Sequence, residues 1–176
     1  MKTSPEIRDA KLAIVGAPGS GCSDWLRAVA MRRGSGAPTE VDAGRWRTLR
    51  ASFPADGLRF DLFCMLDDCR YRGVEELLVG AADAVILLFD VTPAWIGSSR
   101  RFFDRLRPQL AELGRPFAVQ YHRIEREPRF DAGRLDAWLG LVGSDIPRAA
   151  TVSSAPADAF DLLLPGLLGT VPANDE

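Results

Sequence analysis

Glycines at 16, 19 and 21 followed by a hydroxyl at Ser23 form the stretch of this chain whose residue types and spacing point most directly to chemistry. Glycine lets the backbone turn tightly and brings its N–H groups close to anionic oxygens. A helix starting at about Cys22 adds the positive end of its dipole. Ser23 is placed to hold Mg²⁺ beside a phosphate. The spacing fits the phosphate-cradling pattern GxxxxGK[ST] at every fixed position except one, because Cys22 stands where the lysine should be. A short thiol cannot reach the β- and γ-phosphates. The loss of one such charge-assisted contact costs about 1.5–3 kcal/mol, roughly ten- to a hundredfold in affinity. A cysteine at a helix start also has the physical basis for a nucleophile, but the lone histidine, His122, is expected on the other side of the pocket mouth. The plainer alternative for Cys22, Cys64 and Cys69 is that they are small buried hydrophobes.

The elements that must position this loop follow from hydrophobic patterning. Leu12 to Val15 read as a buried strand leading into it, and Ser23 to Arg33 as a helix with Trp25, Leu26, Val29 and Ala30 inward. The segment from Gly34 to Gly44 lacks periodicity and reads as a mobile loop. Arg45 to Phe53 and Leu58 to Leu66 flank the turn signal PADG and form a hairpin, its first strand decorated with arginines like a sheet edge. Val74 to Val79 is a short helix. Ala84 to Phe89, AVILLF, is a central buried strand ending at Asp90. Arg100 to Leu113 is an amphipathic helix, Phe117 to Tyr121 a strand, Leu135 to Val142 a helix, Ala149 to Ser153 a last strand and Ala157 to Leu168 a closing helix. Strands alternating with helices after a phosphate-type loop predict an α/β fold, a three-layer doubly wound sheet of about six strands, mostly parallel with one antiparallel edge strand.

Composition narrows the classes. The chain has 176 residues, 47% hydrophobic and 26% charged, enough for one core. The expected division is a loose lead over 1–10, one domain over 11–169 and a polar tail over 170–176. A formal charge of −2 gives no reason to expect nucleic acid or an anionic membrane as partner. No signal peptide or membrane-spanning apolar run stands out, and three unpaired-looking cysteines suit a reducing compartment, so a cytoplasmic protein without membrane insertion is expected. Of the 22 basic residues only Lys2 and Lys11 are lysine. That bias would turn a needed lysine into arginine, and position 22 is neither.

From about Lys11 to Leu163 the chain resembles the Ras-like small GTPases, and among them the bacterial gliding-polarity, MglA-like type. The residues that carry the resemblance are the loop, RTL at Arg47 to Leu49, Tyr71 with EELLVGAADAVILLFD at Glu75 to Asp90, PFAVQY at Pro116 to Tyr121, and IP at Ile146 with Phe160 and Asp161. The resemblance places nucleotide contacts at Gly16, Gly19, Gly21, Cys22, Ser23, Thr48, Glu125, Ser154 and Ala155, with Ser23 and Thr48 as the Mg²⁺ ligands. It also exposes losses. Asp67 and Asp68 fall on the γ-phosphate-sensing glycine and the water-positioning glutamine. The guanine-reading NKxD falls on His122, Arg123, Ile124 and Glu125, of which only the acid resembles the original. SAK becomes Ser154, Ala155 and Pro156.

The implied protein is a pseudo-GTPase, a protein-binding regulatory or scaffold module with no resident cofactor and no catalytic residue. Its implied partners are roadblock-type dimers or polarity and motility factors, met by Arg45, Trp46, Arg47, Arg70, Tyr71 and Arg72. A solvated edge, with Trp46 facing the core, is the plainer account of those six. The alternative is an atypical active GTPase that binds GTP or GDP with Mg²⁺, an arginine such as Arg45 or Arg47 folding over the phosphates in place of the lysine.

Overall fold

In the computed structural model, residues 8–42, 44, 46–55, 57–66, 72–152 and 160–165 are described. Strand β1 (Arg8–Gly16) runs into the glycine loop, and α1 (Cys22–Arg32) leaves it. Then come β2 (Thr39–Asp42), β3 (Arg47–Ala55), β4 (Leu58–Met65), α2 (Arg72–Ala81), β5 (Ala84–Asp90), α3 (Ile96–Glu112), β6 (Phe117–His122), a single 3-10 turn at Ile124–Arg126, α4 (Ala132–Leu139) and β7 (Arg148–Thr151). Residues 160–165 are helical.

The sheet has seven strands in the order β2-β3-β4-β1-β5-β6-β7. β1, β4, β5, β6 and β7 run parallel, with Leu12 opposite both Leu62 and Ala84. β3 is antiparallel to β4, and β2 antiparallel to β3. The expected mostly parallel α/β sheet with one strand running against the rest is present, and β2 adds a seventh strand outside β3, inside the stretch read as a mobile loop. All four of its residues are exposed. With no buried side it shows no apolar alternation and is held by its backbone ladder. β3 is consequently covered on both sides, and its arginines do not mark an edge.

Each face of the sheet carries one apolar cluster. On one face, Trp25, Leu26 and Val29 of α1 pack over Leu12, Leu49, Leu62 and Phe160. Phe160 meets Trp25, Phe53 and Phe60 edge-on at 5.7–6.2 Å between ring centroids. The Arg33 guanidinium lies 5.3 Å from the Phe160 ring centre and pairs with Asp161, pinning 160–165 to α1. On the other face, α2, α3 and α4 cover Val15, Val85, Leu87 and Val119 with Val79, Phe103, Leu106 and Leu139.

Among the helix ends that differ from expectation, three have a local reason. α3 starts at Ile96 rather than Arg100, behind a turn in which the Ile96 N–H bonds the Thr92 carbonyl. α4 runs from Ala132 and stops at Leu139, because the Asp131 side chain accepts the Arg134 N–H at its start and Gly140 takes the left-handed conformation at its end. Of the predicted closing helix, only 160–165 lie within the described residues.

Candidate functional site

The glycine loop is closely packed. A β-carbon on Gly16 would lie 2.3 Å from Ser20 Oγ and 2.8 Å from the Leu88 carbonyl oxygen, so only glycine fits there. Gly21 caps α1 at φ 85°, where a side chain is strained, and a β-carbon would stand 3.0 Å from Arg123 Nη2. Cys22 is buried, its Sγ 3.3 Å from Ser20 Oγ. Ser23 Oγ is buried with no hydrogen-bond partner among the described residues. A buried hydroxyl without a partner at a helix start is free to accept a ligand's hydrogen bond, a cation or a water.

Opposite the loop, β6 ends in His122 and the chain turns through Arg123, the one non-glycine residue at positive φ (63°) among the described residues. Its Nη1 donates to Asp90 Oδ2 at 2.7 Å and to the Gly19 carbonyl at 3.0 Å. Asp90 is only 1% exposed. It also accepts the Thr92 N–H on Oδ1, while its own N–H donates to Ser99 Oγ. Arg123 thus ties the end of β6, the end of β5 and the loop into one joint, holding a strained backbone conformation to do so.

His122 stands beside this joint, its Nε2 3.6 Å from the place of a Gly21 β-carbon. This corrects the expectation that the lone histidine lies on the far side of the mouth. Burial first, then the neighbouring Arg123 charge, pushes its imidazole below the ordinary 6.5, so the ring is neutral at neutral pH. Beneath, Trp25 Nε1 donates to Gln120 Oε1 at 2.5 Å, and Gln120 Nε2 donates to Thr151 Oγ1 at 2.7 Å. This buried chain joins α1 to β6 and β7.

A cavity of about 40 Å³ lies under the loop, lined by Gly16, Ala17, Pro18 and Cys22 together with Met65, Leu66 and Glu75. It has room for a water or two rather than for a ligand. Among the described residues its one charged lining residue is Glu75, which pairs with Arg105.

The remaining predicted positions scatter. Thr48 is buried in β3, laddered between Val41 and Met65, with β4 between it and β1. Glu125 sits in the 3-10 turn, 3.8 Å from Arg126 Nε. Trp46 is half-buried against the α2–α3 side of the core, which favours its packing role over a docking one. Arg47 lies 3.7 Å from Glu40 across the β2–β3 ladder rather than over the loop. Of Arg72 only the backbone is described, as the first residue of α2. Arg45, Asp67, Asp68, Cys69, Arg70, Tyr71, Ser154, Ala155 and Pro156 lie outside the described residues.

Arg123, Asp90 and the Trp25–Gln120–Thr151 chain are the site residues that sequence reasoning missed. A signal for Arg123 existed: it follows directly on the end of a buried strand, in step with the lysine of NKxD, so one of the positions read as lost still carries a cation.

A strand, a glycine loop and a helix at the carboxyl ends of a parallel sheet match known architecture. The structure is similar to the G domain of the FeoB iron transporter of T. maritima, with a TM-score of 0.67 and 17% identity over 94% of this chain and 100% of that one. The fold is that of a P-loop GTPase G domain. No protein-family model and no curated protein matches the chain. Within that G-domain fold, the loop backbone and Ser23 fit a phosphate. The lysine that would meet a nucleotide's β- and γ-phosphates is replaced by Cys22, while Glu75 beside the loop is already paired with Arg105. Among the described residues, no helix is long and apolar enough to cross a membrane.

Proposed function

We propose that this G-domain-like chain is a pseudo-GTPase, a module that works by holding a fixed surface for protein partners rather than by hydrolysing GTP, and that it keeps no nucleotide as a resident cofactor. The observation that carries this reading is the commitment of Arg123. The guanidinium that reaches the loop already neutralises buried Asp90 and bonds the Gly19 carbonyl, so it is not available to replace the lysine missing at Cys22. The docking surface in this reading is the side carrying β2, β3 and the start of α2, with Arg45, Arg47, Arg70, Tyr71 and Arg72 as anchors. Roadblock-type dimers and polarity or motility factors are the partner classes that follow from the MglA-like resemblance. The location in this reading is cytoplasmic.

One observation favours a second reading. Ser23 Oγ, buried without a partner at the start of α1, suits a weakly held phosphate or Mg²⁺–GTP, with Thr48 as the other candidate metal ligand. The two are separated by denaturing the purified protein, assaying the supernatant for nucleotide, and titrating the apo chain with fluorescent GTP, GDP and ATP in the presence of Mg²⁺. The expected result is no stoichiometric nucleotide and no saturable binding below millimolar concentration. Stoichiometric guanine nucleotide, or micromolar binding abolished by Gly21→Val, overturns the pseudo-GTPase reading.

A further inference from the structure

A second cleft, separate from the glycine loop, opens between the start of α3, the turn after β6 and the first turn of α4. It encloses about 430 Å³, within the roughly 300–1,000 Å³ of small-ligand sites. Its floor is apolar, made by Val91, Ile96, Phe130, Leu135 and Trp138. Trp138 is 47% exposed yet firmly placed, edge-on to Phe89 at 6.4 Å and under the Arg100 guanidinium at 4.9 Å.

The rim carries two carboxylates and two guanidiniums, and they differ in how they are satisfied. Glu127 Oε1 accepts the Arg129 N–H at 2.9 Å, and Asp131 Oδ1 accepts the Arg134 N–H at 3.1 Å, so both acids are tied to local backbone. The side chains of Arg129 and Arg134 have no hydrogen bond or ion pair among the described residues, whereas the neighbouring Arg100, Arg123, Arg126 and Arg148 each pair with a carboxylate. Arg134 also stands in the first turn of α4, where the helix dipole disfavours a cation. α3 brings its own positive end to the cleft through Ile96, with no acidic residue in its first turn. Asp131 at the N-cap offsets part of that dipole, and the two guanidiniums beside the apolar floor are donors that an external anion can satisfy.

We propose that this cleft binds a small organic anion, its flat or branched apolar body against Phe130, Leu135 and Trp138 and its acidic group received by Arg129 and Arg134. The test uses two probes of matched shape on the intact chain, anionic 1-anilinonaphthalene-8-sulfonate and neutral N-phenyl-1-naphthylamine, followed by probe fluorescence and by quenching of indole emission. One saturable sulfonate site per chain is expected, with the neutral probe about a hundredfold weaker, the size of two charge-assisted contacts. Arg129→Gln and Arg134→Gln, both at exposed positions, are each expected to weaken the sulfonate about tenfold and leave the neutral probe unchanged. Absence of a saturable site, equal affinity for the two probes, or sulfonate binding indifferent to both substitutions overturns the proposal.

Discussion

Replacing Arg123 with methionine strips the Asp90 carboxylate of its cationic partner while leaving that carboxylate 1% exposed. Two hydrogen bonds go with it, the 2.7 Å bond to Asp90 and the 3.0 Å bond to the Gly19 carbonyl. Breaking a buried pair from one side costs about 3–5 kcal/mol. Part of the charge stays satisfied, because Asp90 Oδ1 still accepts the Thr92 N–H, which places the expectation near the lower end. Methionine keeps the positive φ of 63° and so relieves no backbone strain. For a chain of this size each kcal/mol shifts Tm by roughly 2–4 °C, so a fall of about 6–12 °C is expected. Asp90→Asn removes the charge and keeps one oxygen, so either the guanidinium or the Thr92 N–H loses its acceptor, at a cost of about 1–3 kcal/mol. The double variant should therefore be more stable than the sum of its parts implies, with a coupling of about 1.5–3 kcal/mol. Urea denaturation of the four proteins measures it. A loss below about 1 kcal/mol for Arg123→Met, or additivity within about 0.5 kcal/mol, would show that the joint is an ordinary surface ion pair.

Three further outcomes follow from the same site. Cys22→Lys restores the missing cation and, in a fluorescent-GTP titration with Mg²⁺, should raise affinity roughly ten- to a hundredfold; no gain would place the defect elsewhere in the loop. Gln120→Ala orphans the Trp25 N–H and leaves Thr151 without its donor, so it should cost about 2–4 kcal/mol in chemical denaturation, while Gln120→Glu, which keeps an acceptor for Trp25 but removes the donor to Thr151, should also destabilise. For His122 the folded-state pKa lies below the ordinary 6.5. Its contribution to stability is therefore complete above about pH 6.5 and is lost as pH falls toward the folded value. Denaturation midpoints measured from pH 7.5 downward should drop for the native chain and drop less for His122→Gln; parallel profiles would contradict the burial argument.

The parts of the fold that buried two faces were legible from periodicity. AVILLF at Ala84–Phe89 and the alternation of Leu58–Leu66 name β5 and β4 almost to the residue. β2 was illegible because Thr39–Asp42 buries nothing, and a strand held by backbone bonds alone leaves no side-chain record. At the site, the loop was legible because its glycines are sterically obligatory, as Gly16 against Ser20 and Leu88 shows. Arg123 was not, because its role depends on a partner 33 positions away that looked like the polar end of a strand. His122 was placed on the wrong side of the mouth for a related reason: β6 lies two strands from β1, yet the side chains at its end reach Gly21.

The Trp25–Gln120–Thr151 chain has a consequence for how the molecule is built. In a site that assembles around its ligand, the helix after the loop and the far strands meet only when the ligand bridges them. Here a tryptophan of α1, a glutamine of β6 and a threonine of β7 already meet, through hydrogen bonds buried where water cannot compete. The helix after the loop and the two far strands are riveted together. In the proposed pseudo-GTPase reading, these bonds are what would take over a nucleotide's part as keystone.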